Sequence, residues 1–130
     1  MATETGPANP KRRVESYQDL IVWQKSMDLV VEAYRLVPHV PKNERYELGA
    51  QIRRAAVSIP ANIAEGFGRW HSKEFVHFLL IANGSLKELE THLLIAKRLD
   101  FLNSDQLSRP MALAEEVGRM LAALRKKLER

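Results

Sequence analysis

Residues 51–69 read QIRRAAVSIPANIAEGFGR, and no other stretch says as much about the fold. Ala55, Ala56, Ser58, Ala61 and Ala64 carry little side-chain bulk, so a second backbone can come close. Leu48, Ile52, Ala55, Ala56, Ile59, Ile63 and Phe67 recur at spacings of three and four, the signature of a helix with one apolar face. Pro60 has no amide hydrogen, and its ring presses on the carbonyl of Ala56, so a kink or shift is expected there. A helix interior accepts that cost of about 3 kcal/mol only where tertiary packing offsets it. The stretch therefore reads as a tightly packed inner helix from Glu44 to Phe67, with Asn43 as its cap. Gly66 and Gly68 are expected to end it in the left-handed conformation that glycine adopts readily.

Three further helices surround it. The first is expected from Asp19, which can cap it, to Val37, with Leu20, Trp23, Met27, Val30, Tyr34 and Val37 on its apolar face. Pro38 and Pro41 then force a loop. The third runs from Ser72 to about Asp100, with Phe75, Phe78, Leu79, Ala82, Leu86, Leu89, Leu93 and Ala96 as one stripe. Val76, Leu80, Leu94 and Ile95 widen that stripe beyond the need of a lone bundle, and Gly84 and Ser85 thin the helix at its middle. The fourth begins near Ser104 and repeats Leu107, Met111, Ala114, Val117, Leu121, Leu124 and Leu128, with its main part expected to start at Arg109 before Pro110. No segment alternates with period two. The expected fold is all-α, an antiparallel up-down four-helix bundle over residues 17–130 behind a disordered basic tail, residues 1–16.

The chain has 130 residues, enough for one domain, and its 45% hydrophobic and 28% charged content is ordinary for a globular protein. It has no cysteine, which excludes disulfides and thiolate metal sites and fits a reducing cytoplasm. No apolar run is long enough for a membrane span, and residues 1–13 lack a secretory h-region. The net charge of +4 is concentrated at the C-terminal end, where Arg119, Arg125, Lys126, Lys127 and Arg130 face Glu129 alone. Two readings follow, cations suited to the negative pole of a helix or a polyanion contact.

Glu74 and His77 form one Glu-x-x-His pair, where a bundle di-iron site needs two such pairs and two further glutamates. Glu88 and His92 do not supply the second. No nucleophile pair or phosphate cradle is visible, so the chain reads as a non-enzyme with no cofactor and no metal. Arg53 and Arg54 sit on an otherwise buried helix, so at least one must lie at a packed boundary and needs a partner. Glu65, Glu88 and Glu90 are the candidate acids for an ion-pair network fixing helix register or a subunit contact. The competing reading is an RNA-phosphate contact, for which Arg69 and Lys73 at the corner between helices two and three are also well placed. Trp23 reads as core; Trp70, in the same corner, either covers the bundle end or stacks on a base.

Asp19-Leu20-Ile21-Val22-Trp23-Gln24-Lys25, Gln51 to Pro60, Asn62-Ile63-Ala64-Glu65-Gly66, Lys73-Glu74-Phe75 and Gly84-Ser85-Leu86-Lys87-Glu88-Leu89-Glu90-Thr91 together resemble the 23S ribosomal RNA intervening-sequence protein family. The resemblance covers about Tyr17 to Leu102, and the fourth helix agrees only in character. It implies an up-down bundle assembling as a ring-shaped homopentamer. It also implies kinship with pentameric accessory proteins of diversity-generating retroelements, which bind nucleic acid through a basic surface. The expected function is thus a homopentamer binding RNA or DNA through Arg53, Arg54, Arg69, Lys73, Lys97 and Arg98. Pro60, Glu65, Gly66, Gly84, Glu88 and Glu90 are the expected structural or interface positions. The alternative is an adaptor ring for a protein partner, with the arginines serving subunit contacts.

Overall fold

The computed structural model describes residues 14–69 and 71–130. A 3-10 turn at Tyr17–Asp19 leads into α1 (Ile21–Leu36). Two further 3-10 turns, Val37–His39 and Lys42–Glu44, connect it to α2 (Leu48–Phe67), followed by α3 (Ser72–Arg98) and α4 (Ser104–Leu128). The fold is all-α, four helices and no strand among the described residues. Among the described residues no helix is long and apolar enough to cross a membrane.

The most extensive helix contact joins α2 to α3. Small side chains make it possible. Gly66 is buried, and a Cβ there would lie 2.7 Å from Phe78 Cβ and 2.9 Å from a Phe75 ring carbon. Further along, the Ser58 and Ser85 hydroxyls meet at 2.8 Å. These pairings set the two helices in opposite directions. Pro60 is buried inside α2, and the helix continues through it. Beside it, Asn62 Nδ2 donates to the Ser58 carbonyl at 2.8 Å and to the Ser58 hydroxyl at 2.9 Å. The α1–α4 side is tied by ion pairs, Lys25 to Glu116 at 3.3 Å and Arg109 to Glu32 at 3.2 Å. Between the helices lie Leu29, Ile52, Ile59, Ile63, Leu79, Leu86, Leu89 and Leu93, all fully buried. Each such side chain contributes about 1.5–3 kcal/mol of transfer free energy.

The expected stripes on α2 and α3 are the buried ones, except that Phe67, Phe75 and Phe78 are half-buried. On α1 the reading needs correction. Val22, Ser26, Leu29, Ala33 and Leu36 face the core, Trp23 and Val30 are half-buried, and Met27 and Tyr34 are exposed. Apolar residues run nearly all round this helix, so spacing alone admits two stripes, and the smaller one fits the core. The α1 boundary moves as well. Asp19 does not cap α1; its carboxylate accepts from the Ser16 amide at 3.1 Å in a capping box that closes the preceding turn. Val14 packs on the core, so the ordered unit reaches back into residues assigned to the tail. Lys11-Arg12-Arg13 and Trp70 lie outside the described residues.

Three end signals also read differently in three dimensions. α2 starts at Leu48, because the chain from Lys42 to Glu44 first makes a 3-10 turn in which Asn43 caps nothing. Neither Gly66 nor Gly68 has positive φ. Gly66 serves close packing against α3, and Gly68 caps with φ −71°. The left-handed residue is Asp100, φ 61°, which ends α3. The Phe101 amide donates to the Ala96 carbonyl at 2.9 Å and the Asp100 amide to Lys97 at 3.0 Å, the two bonds of a Schellman cap. α4 starts at Ser104 as expected, where Asn103 and Gln106 form a reciprocal capping box at 2.8 Å each way, but it runs on as one helix with no separate start at Arg109. Pro110 then lies buried inside the helix.

Two glycines separate packing from propensity. Gly66→Ala forces Phe75 and Phe78 apart and is expected to cost about 1–3 kcal/mol, read as a lower urea midpoint at unchanged slope. Gly84 sits exposed in the middle of α3, and a methyl group added there would meet nothing within 4 Å. Gly84→Ala should therefore raise stability by about 0.5–1 kcal/mol in the same measurement.

Candidate nucleic-acid interface

The two adjacent arginines of α2 point about 100° apart and have different surroundings. Arg53 is half-buried, and its Nη2 donates to the Arg45 carbonyl at 3.4 Å. Arg45 in turn donates from Nη2 to the Pro38 carbonyl at 3.2 Å. This relay ties the α1–α2 connection to the first turns of α2. Arg54 is exposed and makes no hydrogen bond or ion pair among the described residues.

The expected network between these arginines and Glu65, Glu88 and Glu90 does not form within the chain. Glu65 pairs with Arg69 at 2.7 Å, one turn away, whereas Arg54 is three turns off, about 16 Å along the axis. Glu90 pairs with Lys87 at 3.0 Å. Glu88 has no partner among the described residues. It lines an open groove of about 400 Å³ between α2 and α3, together with Gln51, Arg54, Ser58, Ser85 and His92. The Nδ1 atom of His92 is buried there with no hydrogen-bond partner. Ser58 already accepts from Asn62, and the Ser58–Ser85 bridge uses one hydroxyl proton, so the other is available to the groove.

The six candidate cations do not form one patch. Arg54, Lys97 and Arg98 lie toward the end where α2 begins and α3 finishes; all three are exposed and none is held by a carboxylate. Lys97 and Arg98 occupy the last turn of α3, where cations suit the helix dipole. Arg69 and Lys73 lie at the opposite end; Lys73 is about 36 Å along α3 from Lys97. Arg69 is doubly engaged, with Glu65 and over the Phe78 ring at 5.2 Å from its centroid. Lys73 shares a groove with Leu128 and Glu129, which brings the basic last turn of α4, with Lys126 and Lys127, beside it. Those two lysines were legible as a local charge excess, but only the fold places them next to Lys73. The groove residues Gln51, Ser58, Ser85 and His92 carried no recognisable spacing.

No cluster of three or more histidine or acidic side chains converges to hold a metal ion among the described residues. Glu74 is exposed, and His77 stands edge-on to Phe78 with centroids 5.6 Å apart.

The model of the 23S rRNA-intervening sequence protein family matches residues 18–123. Among solved structures, the chain is similar to a protein of unknown function from the S23 ribosomal protein family of Bacteroides thetaiotaomicron, with a TM-score of 0.75 and 25% identity. That likeness covers 81% of this chain and 98% of the other. The comparison with curated proteins finds no significant match.

Replacing the two arginines separately distinguishes their roles. Arg53→Ala removes the hydrogen bond to Arg45 and should lower stability by about 1 kcal/mol in chemical denaturation. Arg54→Ala should leave stability within about 0.5 kcal/mol of the parent.

Proposed function

The chain belongs to the 23S rRNA-intervening sequence protein family, and we propose that it is a non-enzymatic, cytoplasmic RNA-binding homo-oligomer, a ring of five antiparallel up-down four-helix bundles. The observation that carries the RNA reading is the set of unheld cations Arg54, Lys97 and Arg98 toward one end of the helices. A cation already paired must give up its carboxylate before it can take a phosphate; within the protomer these three need not. Five copies of a protomer with formal charge +4 give about +20, and simultaneous engagement multiplies a weak patch into useful affinity. The family description, which refers to 23S rRNA intervening sequences, makes RNA the first ligand to test. Self-association is supported by the large apolar side chains left on the surface, Val31, Ile95 and Leu99 among them.

A second reading keeps the oligomer and replaces RNA with a protein partner. Leu80 and Leu94, on the α4-facing side of α3, favour it, because phosphate contact gives them no role.

Fluorescence anisotropy with a labelled structured RNA across a salt series separates the two readings. Phosphate contact predicts affinity falling steeply between about 50 and 200 mM salt. The combined Lys97→Gln and Arg98→Gln variant, which leaves Arg54 in place, should bind at least about tenfold more weakly, with the log–log salt slope reduced by about one per lost contact. Absent or salt-independent binding by a wild-type oligomer would reject the RNA reading in favour of the adaptor.

A further inference from the structure

Besides Leu80 and Leu94, two longer apolar strips stand exposed among the described residues of the protomer, and they differ in shape. On α1, Met27, Val31 and Tyr34 follow one another at one-turn spacing, with Val31 47% and Tyr34 45% exposed. They form an exposed ridge along α1 whose Tyr34 end borders an open groove lined by Arg53, Arg54 and Val57 of α2. On α3, Ile81, Ile95 and Leu99 share a face with Ser85, Glu88 and His92, and this face borders the groove between α2 and α3. Its apolar residues flank a polar middle, and the facing wall of α2 presents the small Ala55 and Ser58 beside the longer Gln51 and Arg54.

The polar middle lacks partners in an ordered way. Arg54 and Glu88 line one groove without pairing with each other, and the buried His92 Nδ1 is unsatisfied. The α1 ridge carries complementary groups. Asp28, next to Met27, is exposed and has no ion pair among the described residues, and Tyr34 ends in a hydroxyl donor. A two-fold contact of either strip with its own copy would leave the other strip in water, because an isologous interface uses one patch twice. A contact of strip with strip covers both in each subunit and brings an acid to Arg54.

Building on the homo-oligomer proposed above, we infer that the α1 ridge of one copy, Met27–Val31–Tyr34, seats on the α2/α3 groove face of a second copy, between Ile81 and Ile95, as a head-to-tail contact. The occupant of the groove is this same chain, and the Asp28 carboxylate of the incoming ridge meets Arg54. A contact of this kind uses different surfaces on its two sides, so it propagates, and it closes into a ring when the rotation allows.

Two charge insertions test the pairing, Val31→Glu on the ridge and Ile95→Glu on the groove face. Both side chains are exposed in the protomer, so each variant should keep the parent helical signal and unfold cooperatively, at a melting temperature lowered only by the lost assembly. Light scattering and native mass spectrometry should find each variant alone at protomer mass. Mixed in equal amounts, they should give a species of twice that mass holding one chain of each kind and nothing larger, because each chain retains one intact strip. A mixture that stays at protomer mass while the wild type is oligomeric overturns the pairing and leaves the oligomer standing. So does either variant alone retaining the wild-type mass or forming a dimer. A wild type at protomer mass at high concentration overturns the oligomer reading itself.

Discussion

The close contact of α2 with α3 sets the geometry on which the rest of the molecule depends. Two helices with ordinary side chains pack about 8–10 Å apart, held there by the bulk between them. Here Gly66 meets Phe75 and Phe78 directly, and two serine hydroxyls bridge the helices at 2.8 Å. The approach makes a buried proline tolerable, since packing rather than the backbone ladder holds α2 at Pro60. It also determines the outer surface. Residues small enough to permit the contact are too small to fill the groove outside it, so the groove follows directly from the packing that stabilises the core.

That logic explains which parts of the fold were legible. On α2 apolar residues fall on one side and small or charged ones on the other, and on α3 one stripe runs unbroken while Leu80, Ile81, Leu94, Ile95 and Leu99 stand outside it, so the spacing of Ile52, Ile59 and Ile63, or of Leu79, Leu86, Leu89 and Leu93, identifies the buried face. On α1 it does not, because Val22, Leu29 and Leu36 compete with Met27, Val31 and Tyr34 as an apolar face. Single-sequence spacing cannot rank two stripes of similar strength; the shape of the core does. The losing stripe becomes the exposed ridge. Helix ends failed for a related reason. A glycine near a helix end has two uses, cap and close approach, and Gly66 takes the second while Asp100 supplies the left-handed residue elsewhere.

The candidate site was legible in composition and illegible in placement. Six cations could be named from the sequence, yet α2 and α3 lie in opposite directions and carry Arg54, Lys97 and Arg98 toward one end and Arg69 and Lys73 toward the other. Pairing was hidden too. Glu65 lies on the same face as Arg54, but helix rise sets them three turns apart, and Arg69 at one turn takes the carboxylate. Facing the same way is a condition for an ion pair along a helix; being one turn away is the other.

Arg53 and Arg54 show how adjacent positions acquire separate roles. One turns inward to the carbonyl of Arg45 and braces a connection, and its neighbour turns outward with all its donors unused. Replacing both at once would mix a loss of bracing with a loss of surface charge, and no binding measurement on that double variant could separate them. The same separation holds for the surface as a whole. Lys97 and Arg98 occupy the end of α3, whereas Met27, Val31, Ile81 and Ile95 occupy the flanks. Assembly through the flanks would leave those cations unburied and bring copies of them together, so self-association and polyanion binding would reinforce each other. Arg54 lies where the two surfaces meet. The head-to-tail contact would give it a carboxylate from a neighbouring copy, polyanion binding would give it a phosphate, and the surface that gains it would set how strongly assembly responds to RNA.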